Sequence, residues 1–467
     1  MDEAAAEPAK HRAPSRSQPS TSLEAVDPRR RLALPERGRP EKLTHYLFRF
    51  PAKFHPPVVA ALFDRFTETG QVVLDPFAGS GTSLVEGTLV DRRCVGVDVD
   101  PVAVAVSRAK TRRYEVDNVR AMASRVLAAL EPLDRGADEY ARLAWDDISP
   151  AELEKTLTGE GLWVPAIPNL GHWFRRYVIV DLARIRREIL RRRAPREHRR
   201  LMLVLFGSVI RNASNADPVP VSGLEVTAHM RRLDKEGRVV DPFALMRRAV
   251  ERGLTAIEDW CAALGPREAP VVLEGDATAA IPGVPARVDA VITSPPYHNA
   301  VDYYRRHQLE MFWMSFTVDQ TSRLELLPRY IGRPRIPASH PLLAEPWPRD
   351  GLAADWERDI AAVDTQRAID FRHYMLAMSR VFRRLAERTN ESAPVVMVIG
   401  RSAWNGGRIP TVELFEEIAQ HWFATDERLW YPVHNRYMSY TRRNGASIDR
   451  EHVIVLRRTG APVDGLA

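Results

Sequence analysis

The sequence predicts an α/β protein built on a mostly parallel β-sheet, with an antiparallel hairpin at one edge of the sheet and a large helical insertion. Short apolar runs alternate with helical patterns, which is typical of a parallel sheet covered by helices. A glycine-rich turn directly follows the first apolar run, as in folds that bind nucleotides at strand ends. Residues 114–268 show amphipathic helical patterns and no strand pattern, which predicts the insertion.

The elements divide the chain into four predicted parts. Residues 1–40 are poor in large apolar side chains, and we expect a disordered basic tail. Residues 41–113 form the first part of the main domain, with strands at 72–74 and 94–97. The helical insertion follows at 114–268, with long helices predicted at 173–193, 198–211 and 242–263. Residues 269–460 complete the domain with strands at 271–273, 290–292 and 395–399 and a closing hairpin from 422–431 and 453–456.

Composition excludes several classes of protein. The 467 residues are 45% hydrophobic and 27% charged, which suits a globular protein with a large core. No apolar run approaches the roughly 18 residues that a membrane helix needs. The two cysteines, Cys94 and Cys261, form no metal-binding motif, so no metal is predicted. The net charge of +6 suits a phosphate-rich partner, although an arginine-rich composition explains it nearly as well.

The turn after the first strand reads Asp-Pro-Phe-Ala-Gly-Ser-Gly-Thr, residues 75–82. Gly79 and Gly81 allow the backbone to approach a ligand closely. The next strand ends at Asp98, where a carboxylate is placed to accept both hydroxyls of a ribose. The turn lacks the Gly-Lys-Ser/Thr of a phosphate-binding loop, which favours a nucleoside cofactor without phosphates. NAD remains an alternative, although Gly-x-Gly-x-x-Gly is absent.

A second motif, Thr-Ser-Pro-Pro-Tyr at 293–297, follows the strand at 290–292. Its two prolines fix the direction of the carbonyls of Ser294 and Pro295. Fixed hydrogen-bond acceptors are what methyl transfer to an amino nitrogen requires, because the nitrogen lone pair is delocalised into the base. Alone, in an arbitrary loop, the motif would favour a turn with an exposed tyrosine. Its place in the same sheet as the nucleoside-binding turn favours a catalytic loop.

Together these motifs resemble those of the amino-methylating DNA methyltransferases. The turn at 75–82 resembles motif I, the loop at 293–297 resembles motif IV, and the segment 48–56 resembles motif X. The resemblance covers 44–110 and 270–315 and is weaker over 370–458. It implies a Rossmann-like, class I sheet that uses S-adenosylmethionine as cofactor and double-stranded DNA as substrate.

The resemblance also implies roles for individual residues. The expected catalytic residues are Ser294, Pro295, Pro296 and Tyr297, the last stacking on a base that has swung out of the duplex. The expected cofactor-binding residues are Phe50, Pro51, Asp75, Phe77, Ala78, Gly79, Gly81, Thr82, Asp98 and Asp276. Phe50 as ordinary core, and Asp276 as a surface turn residue, remain open alternatives.

The serine of the catalytic motif bears on the choice of base. By resemblance, Ser-Pro-Pro-Tyr is usual in enzymes that make N4-methylcytosine, whereas Asp-Pro-Pro-Tyr is commoner in N6-adenine enzymes. The sequence therefore predicts a cytosine-N4 enzyme of the cytoplasm, associated with the nucleoid, in restriction–modification or defence, with a cognate endonuclease as a candidate partner. The alternatives are an N6-adenine enzyme, an RNA methyltransferase or an inactive DNA-binding scaffold.

Three segments compete for DNA contact. Residues 316–368 rank first as a target-recognition loop, since arginine and tyrosine interleave there at Arg329, Tyr330, Arg333 and Arg335. The insertion carries twelve arginines between Arg175 and Arg211, which suit phosphates or an ordinary solvated helix face. The third candidate segment contains Arg442 and Arg443.

Overall fold

The strands form where short apolar, β-branched runs occur. In the computed structural model, residues 27–34, 43–218, 224–298, 303–400, 402–404, 407–433 and 450–460 are described. Within them the strands are β1 Val72–Asp75, β2 Arg93–Asp98, β3 Val271–Glu274, β4 Ala290–Thr293, β5 Val395–Ile399, β6 Ser402–Trp404, β7 Gly407–Ile409, β8 Phe423–Pro432 and β9 Arg450–Arg458. Every residue of β4 and β5 is buried, as expected for central strands covered on both faces.

Seven of these strands form one sheet in the order β3-β2-β1-β4-β5-β9-β8, and β6 and β7 form a separate ribbon. The pairs from β3 to β5 are parallel, whereas β9 pairs antiparallel with both β5 and β8. The mostly parallel sheet with an antiparallel edge hairpin is confirmed. The strand order and directions are those of a Rossmann-like sheet. The β6–β7 ribbon was not predicted.

Helices cover the sheet and extend the molecule on one side. They are α1 Pro56–Phe66, α2 Thr82–Leu89, α3 Pro101–Thr111, α4 Val116–Leu130, α5 Ala137–Leu143, α6 Pro150–Glu160, α7 Leu170–Trp173, α8 Arg176–Arg191, α9 Arg196–Ala213, α10 Ala228–Lys235, α11 Pro242–Leu264, α12 Tyr303–Arg306, α13 Gln308–Trp313, α14 Gln320–Leu326, α15 Leu352–Ala361, α16 Thr365–Arg388 and α17 Thr411–Ala419. Side chains alternate across β5: Val396 packs on the α1 face and Met397 on the α16 face.

Among the described residues of 114–268, every regular element is a helix, with turns and irregular segments between the helices. These helices share one hydrophobic core with α3 and with α13, so they form a further layer on the sheet's helices. Trp313 of α13 is fully buried in this core. The rings of Phe174 and Phe206 meet the Trp313 ring edge-on, with centroids 5.9 and 6.1 Å away. The division into domains stays a prediction.

Part of the predicted disordered tail is ordered, which corrects that expectation for residues 27–34. The Leu32 amide donates to the Trp430 carbonyl of the edge strand β8 at 2.8 Å. The Trp430 indole in turn donates to the Asp27 carbonyl at 3.1 Å. An edge strand offers unpaired backbone groups, and Leu32 adds a side chain that is 3% exposed. Because the tail contains few large apolar side chains, its composition did not predict that Leu32 would attach it to β8.

The cysteines and ionisable groups offer no metal chemistry in the described ranges. No group of three or more His, Cys, Asp or Glu residues there is placed to hold a metal ion. Burial raises the pKa of the Cys94 thiol to about 12, so it packs as a small apolar residue. Among the same residues, no helix combines the length and the apolar character that crossing a membrane requires.

The buried tryptophan gives a test of the shared helical core. We expect Trp313→Ala to lower the free energy of unfolding by about 3–5 kcal/mol, because a large aromatic side chain leaves a cavity. The matched control is Trp145→Ala, since Trp145 is 71% exposed and its loss should cost about 0.5 kcal/mol. Denaturant unfolding followed by circular dichroism measures both. Equal losses for the two variants would contradict this account of the core.

Candidate active site

The two predicted loops meet at the centre of the sheet. Strand β1 lies between β2 and β4. The chain first adds β2 and β3 on one side of β1 and then adds β4 and β5 on the other side, so the strand order reverses at β1. Val73 and Leu74 of β1 pair with Ala290 and Val291 of β4. In open α/β sheets, ligands bind outside the carboxyl ends of strands at such a switch point. The turns that follow β1 and β4 therefore face the position expected for a ligand.

The turn after β1 is held by its own aspartate. Asp75 is 3% exposed, and its carboxylate accepts from the Phe77 amide at 3.0 Å and from the Ser83 hydroxyl. Burial raises the pKa of Asp75 to about 6. Gly81 has a φ of +75°, and a Cβ there would lie 2.8 Å from the Ser107 hydroxyl oxygen. Glycine is thus required for the turn to close against α3.

The acid at the end of β2 is tied to the same turn. One Asp98 oxygen accepts from the Gly79 amide at 2.7 Å, and the other accepts from the Asp100 amide at 2.9 Å. Burial, together with the neighbouring Asp100 carboxylate, raises the pKa of Asp98 to about 7. The Ser107 hydroxyl donates to the Gly79 carbonyl at 2.7 Å. The glycine turn and the predicted ribose acid therefore form one rigid unit.

A buried aspartate–histidine pair beside this unit was not predicted. Asp100 accepts from the Val102 amide at the start of α3, and its other oxygen lies 2.7 Å from His307 Nδ1. The His307 ring packs against Phe50, with centroids 4.8 Å apart. An aspartate before a helix-starting proline signals only a helix cap. The partner stands 207 residues away, so the sequence carried no signal of the pair.

The segment resembling motif X forms one wall of the site. The Phe50 ring stacks on the Tyr303 ring, with centroids 6.1 Å apart. A Cβ at Gly79 would lie 3.4 Å from the Phe50 ring, so this wall touches the glycine turn. Lys53 donates to the His45 carbonyl at 3.2 Å, and burial lowers the pKa of Lys53 to about 8.

The loop after β4 is bonded directly to the first turn. Thr293 is fully buried, and its hydroxyl donates to the Asp75 carboxylate at 2.6 Å. The Tyr374 hydroxyl of α16 donates to the Pro296 carbonyl at 2.9 Å. Ser294 lies between these two anchors and faces the same cleft as Asp75. The position of Ser294 relative to the first turn is therefore set by hydrogen bonds on both sides.

The tyrosine of this loop is anchored to the antiparallel hairpin. The Tyr297 hydroxyl donates to Glu451 at 2.9 Å, and the Tyr431 hydroxyl donates to the other Glu451 oxygen. Burial, then the Glu451 carboxylate, raise the pKa of Tyr297 well above its ordinary value, while a hydrogen bond with Ser294 opposes them. A Cβ at Gly400 would lie 2.4 Å from the Tyr297 ring. Glu451 was not predicted as a site residue.

A cleft of about 860 Å³, partly open to solvent, joins these parts. Its lining contains most of the predicted cofactor residues, namely Phe50, Asp75, Phe77, Ala78, Gly79, Thr82, Asp98 and Asp276. Pro51, Gly81, Pro295 and Tyr297 lie outside the lining, whereas Ser294 and Pro296 belong to it. Lining residues that the sequence did not single out include Lys53, Phe54, Ser83, Asp100, Tyr303 and Ile331.

The charges of the cleft favour a cationic ligand that carries hydroxyl groups. Four carboxylates line it, from Asp75, Asp98, Asp100 and Asp276, against two cationic side chains, Lys53 and Arg329. Asp276 also accepts from the Thr278 amide at 2.8 Å, which shapes the turn after β3. Ionised carboxylates repel phosphate groups and attract a sulfonium or ammonium group. The described residues thus suit a nucleoside ligand with positive charge and no phosphate.

The segment ranked first for DNA contact lies beside the catalytic loop. A Cβ at Gly332 would lie 3.4 Å from the Tyr297 carbonyl. Arg329 and Tyr330 line the cleft. Tyr330 is 7% exposed and Arg333 is 9% exposed, so protein covers both side chains and neither offers a surface to a duplex. Contact with DNA from this segment stays a prediction for Arg329 and for the exposed Arg335.

Most arginines of the helical layer are held by carboxylates of their own neighbourhood. Ion pairs are formed by Arg175, Arg176, Arg184, Arg187, Arg191, Arg192 and Arg200. The one carboxylate of Glu188 forms ion pairs with three arginines, Arg187, Arg191 and Arg192. These contacts favour a solvated, salt-bridged surface for this face of the layer. Arg442 and Arg443, of the third candidate segment, lie outside the described residues.

Comparisons with known proteins agree with this geometry. A family model described as DNA methylase matches residues 14–108, which contain the first turn and Asp98. Type II methyltransferase M.BsoBI of Geobacillus stearothermophilus is 24% identical over 307 residues, covering 60% of this chain and 54% of that protein. Type II methyltransferase M.MjaII of Methanocaldococcus jannaschii is 25% identical over 116 residues, covering 25% of this chain and 21% of that protein.

Among solved structures, an rRNA methyltransferase, aviRa of Streptomyces viridochromogenes, covers 88% of each chain at 12% identity with a TM-score of 0.29. A score this low carries no argument about fold or substrate. The chain spans about half of M.BsoBI and about a fifth of M.MjaII. In its motif sequences and over residues 14–108, the chain is similar to the amino-group DNA methyltransferases, enzymes whose methyl donor is S-adenosylmethionine.

Proposed function

We propose that the protein transfers a methyl group to the exocyclic N4 amino group of cytosine within a specific sequence of double-stranded DNA. The observation that carries this proposal is the Ser294 side chain in the cleft, one residue after the Thr293 hydroxyl bonded to Asp75. This arrangement presents a neutral acceptor of fixed position beside the cofactor turn. Most of the rate enhancement then comes from positioning the amino nitrogen.

The cleft lining supports a position for the cofactor. Asp98 would accept from the ribose hydroxyls, Asp276 would accept from the adenine amino group, and Phe50 would pack on the cofactor. Asp75 holds the turn that surrounds the methionine part. S-adenosylmethionine supplies a methyl group made electrophilic by its sulfonium charge. The carboxylates of the lining favour binding of that cation.

The target base meets the second loop. The base must leave the duplex to reach a cleft at the ends of the strands. Its two amino hydrogens would donate to the Ser294 hydroxyl oxygen and the Pro295 carbonyl, which favours a pyramidal nitrogen whose lone pair points at the methyl carbon. As the nitrogen–methyl bond forms, the sulfur–methyl bond breaks to leave a neutral thioether, and the nitrogen releases one proton. The Tyr297 ring stacks on the base. The Tyr374 hydroxyl, through the Pro296 carbonyl, keeps the loop in the conformation that these contacts need.

Serine supports cytosine over adenine, because it stands where N6-adenine enzymes commonly carry aspartate. The curated relatives are named type II methyltransferases, which supports a restriction–modification role with a cognate endonuclease and a location on the nucleoid. N6-adenine methylation is the second candidate. Arg329, which lines the cleft, and Arg335, which is exposed, are the candidates for contact with the duplex.

Labelled S-adenosylmethionine and varied duplexes test the proposal. We expect N4-methylcytosine in duplex DNA, identified by mass spectrometry of nucleosides, with the target sequence read by methylation-aware sequencing. Ser294→Ala should lower kcat by roughly 100-fold, since one acceptor of the amino group is lost. Ser392→Ala is the control, since Ser392 is exposed before the amino end of β5 and outside the candidate DNA segments, and it should leave kcat unchanged. Label at adenine N6 would favour the second candidate, and label only in RNA or protein would reject DNA as substrate.

The raised pKa of Asp98 predicts how cofactor binding depends on pH. Asp98 must be ionised to accept two ribose hydroxyls, and its pKa is about 7. The affinity for S-adenosylmethionine should therefore reach its maximum above about pH 8. It should decrease as the pH falls through about 7, by at most about tenfold per pH unit. Asp75, with a pKa of about 6, adds a further loss at lower pH.

Isothermal titration calorimetry between pH 6 and pH 8.5 measures this dependence. Asp98→Asn is the matched variant, because it keeps the shape of the side chain and has no proton to lose. It should bind more weakly and with a shallower pH profile, while titration of the ligand itself affects both proteins equally. Parallel profiles for the two proteins would show that Asp98 does not govern the dependence.

A further inference from the structure

Glu451 of β9 joins two tyrosines from different parts of the chain. Tyr297 follows the catalytic strand, and Tyr431 stands on the edge strand β8 directly opposite Glu451 in the ladder. Each tyrosine hydroxyl donates to a different oxygen of the one carboxylate, at 2.9 Å for Tyr297. Burial raises the pKa of both tyrosines well above their ordinary value, so both remain donors.

Two further features of the surroundings restrict the Tyr297 ring to one orientation. The end of β5 passes so close that a Cβ at Gly400 would lie 2.4 Å from the ring. The loop backbone beside the ring is held by the Tyr374 hydroxyl at the Pro296 carbonyl. Backbone therefore closes one side of the ring, and the Glu451 contact fixes the far end of the side chain.

Glu451 also lies close to the cleft. Burial raises the pKa of Tyr303, and the carboxylates of Asp98 and Glu451 contribute to the increase. Tyr303 lines the cleft and stacks on Phe50. The anchor of Tyr297 therefore lies near a residue of the cleft lining.

The position of β9 does not need the Glu451 side chain. Backbone pairing holds the strand on both sides: His452 pairs with Ile399 of β5, and Glu451 pairs with Tyr431 of β8. The apolar side chains Val453 and Ile454 are fully buried in the core. A carboxylate is a costly choice for a site that backbone and apolar side chains already stabilise. Its contact with the catalytic loop explains its presence.

We propose that Glu451 is a positioning residue of the methyl transfer. By accepting the Tyr297 hydroxyl, it fixes the ring on which the extruded base stacks, and so sets the distance between the amino nitrogen and the methyl group. The proposal rests on the proposed function, because it requires a base stacked on Tyr297. Glu451 itself touches neither base nor cofactor.

The test uses the full chain and the duplex target identified by sequencing. Glu451→Gln keeps the size of the side chain but accepts from only one tyrosine through its single carbonyl oxygen. We expect kcat to fall roughly 10- to 100-fold, because a reactant that is displaced from its reactive position reacts more slowly. The KM for S-adenosylmethionine should remain unchanged. The fluorescence of 2-aminopurine at the target position should report a base that is extruded but less firmly stacked.

Two further variants separate positioning from a structural role. Tyr431→Phe removes the other donor to Glu451 and should change kcat by less than about threefold, since the Tyr297 contact remains. Tyr297→Phe keeps the ring but removes this contact together with the hydrogen bond with Ser294, so it should lower kcat at least as much as Glu451→Gln. In the double variant the two losses should not multiply, because both changes act on the hydrogen bond between Tyr297 and Glu451.

Several outcomes would overturn the proposal. They are a wild-type kcat in Glu451→Gln, multiplied losses in the double variant, or an equal loss in Tyr431→Phe. A fall in melting temperature that parallels the fall in kcat across the variants would make Glu451 structural. A wild-type protein that binds S-adenosylmethionine and methylates no duplex would refute the proposed function itself, and the positioning role with it. Wild-type activity therefore distinguishes the two failures.

Discussion

The hydrogen bond from the Thr293 hydroxyl to the Asp75 carboxylate is the contact on which the site depends. It joins the ends of two neighbouring parallel strands, one leading to the cofactor turn and the other to the catalytic loop. Both groups are buried, so water does not compete for the bond. Because Asp75 also accepts from the Ser83 hydroxyl and the Phe77 amide, one side chain sets the relative position of donor site and acceptor site.

The same device recurs around the cleft. Each functional loop is held by a side chain from an element remote in the sequence: Tyr374 bonds the Pro296 carbonyl, and Glu451 accepts from Tyr297. Asp98 in turn holds the Gly79 amide. A reaction that relies on positioning needs such support, since loops alone tolerate displacements that cost rate. The buried carboxylates of Asp75 and Asp98 provide part of this support, and burial raises the pKa of each.

Local patterns predicted the fold and both loops, because strands, turns and motif residues are encoded within a few neighbouring residues. Pairings across long separations were beyond the sequence. His307 lies 207 residues from Asp100, and Glu451 lies 154 residues from Tyr297, with no periodicity linking either pair. Interleaved arginine and tyrosine indicated a DNA surface at 329–335, yet Tyr330 is buried, since composition does not reveal which side of a loop is covered.

The insertion of β9 between β5 and β8 has a consequence for biosynthesis. Strand β9, which carries Glu451, emerges from the ribosome after every other strand of the sheet. Before β9 has been made, the segment 27–34 is the one described neighbour with which β8 can pair. Contacts of such separation form late in folding. Nascent chains that end before β9 therefore present the loop at 293–297 without the Glu451 contact, which forms only when the last strand has joined the sheet.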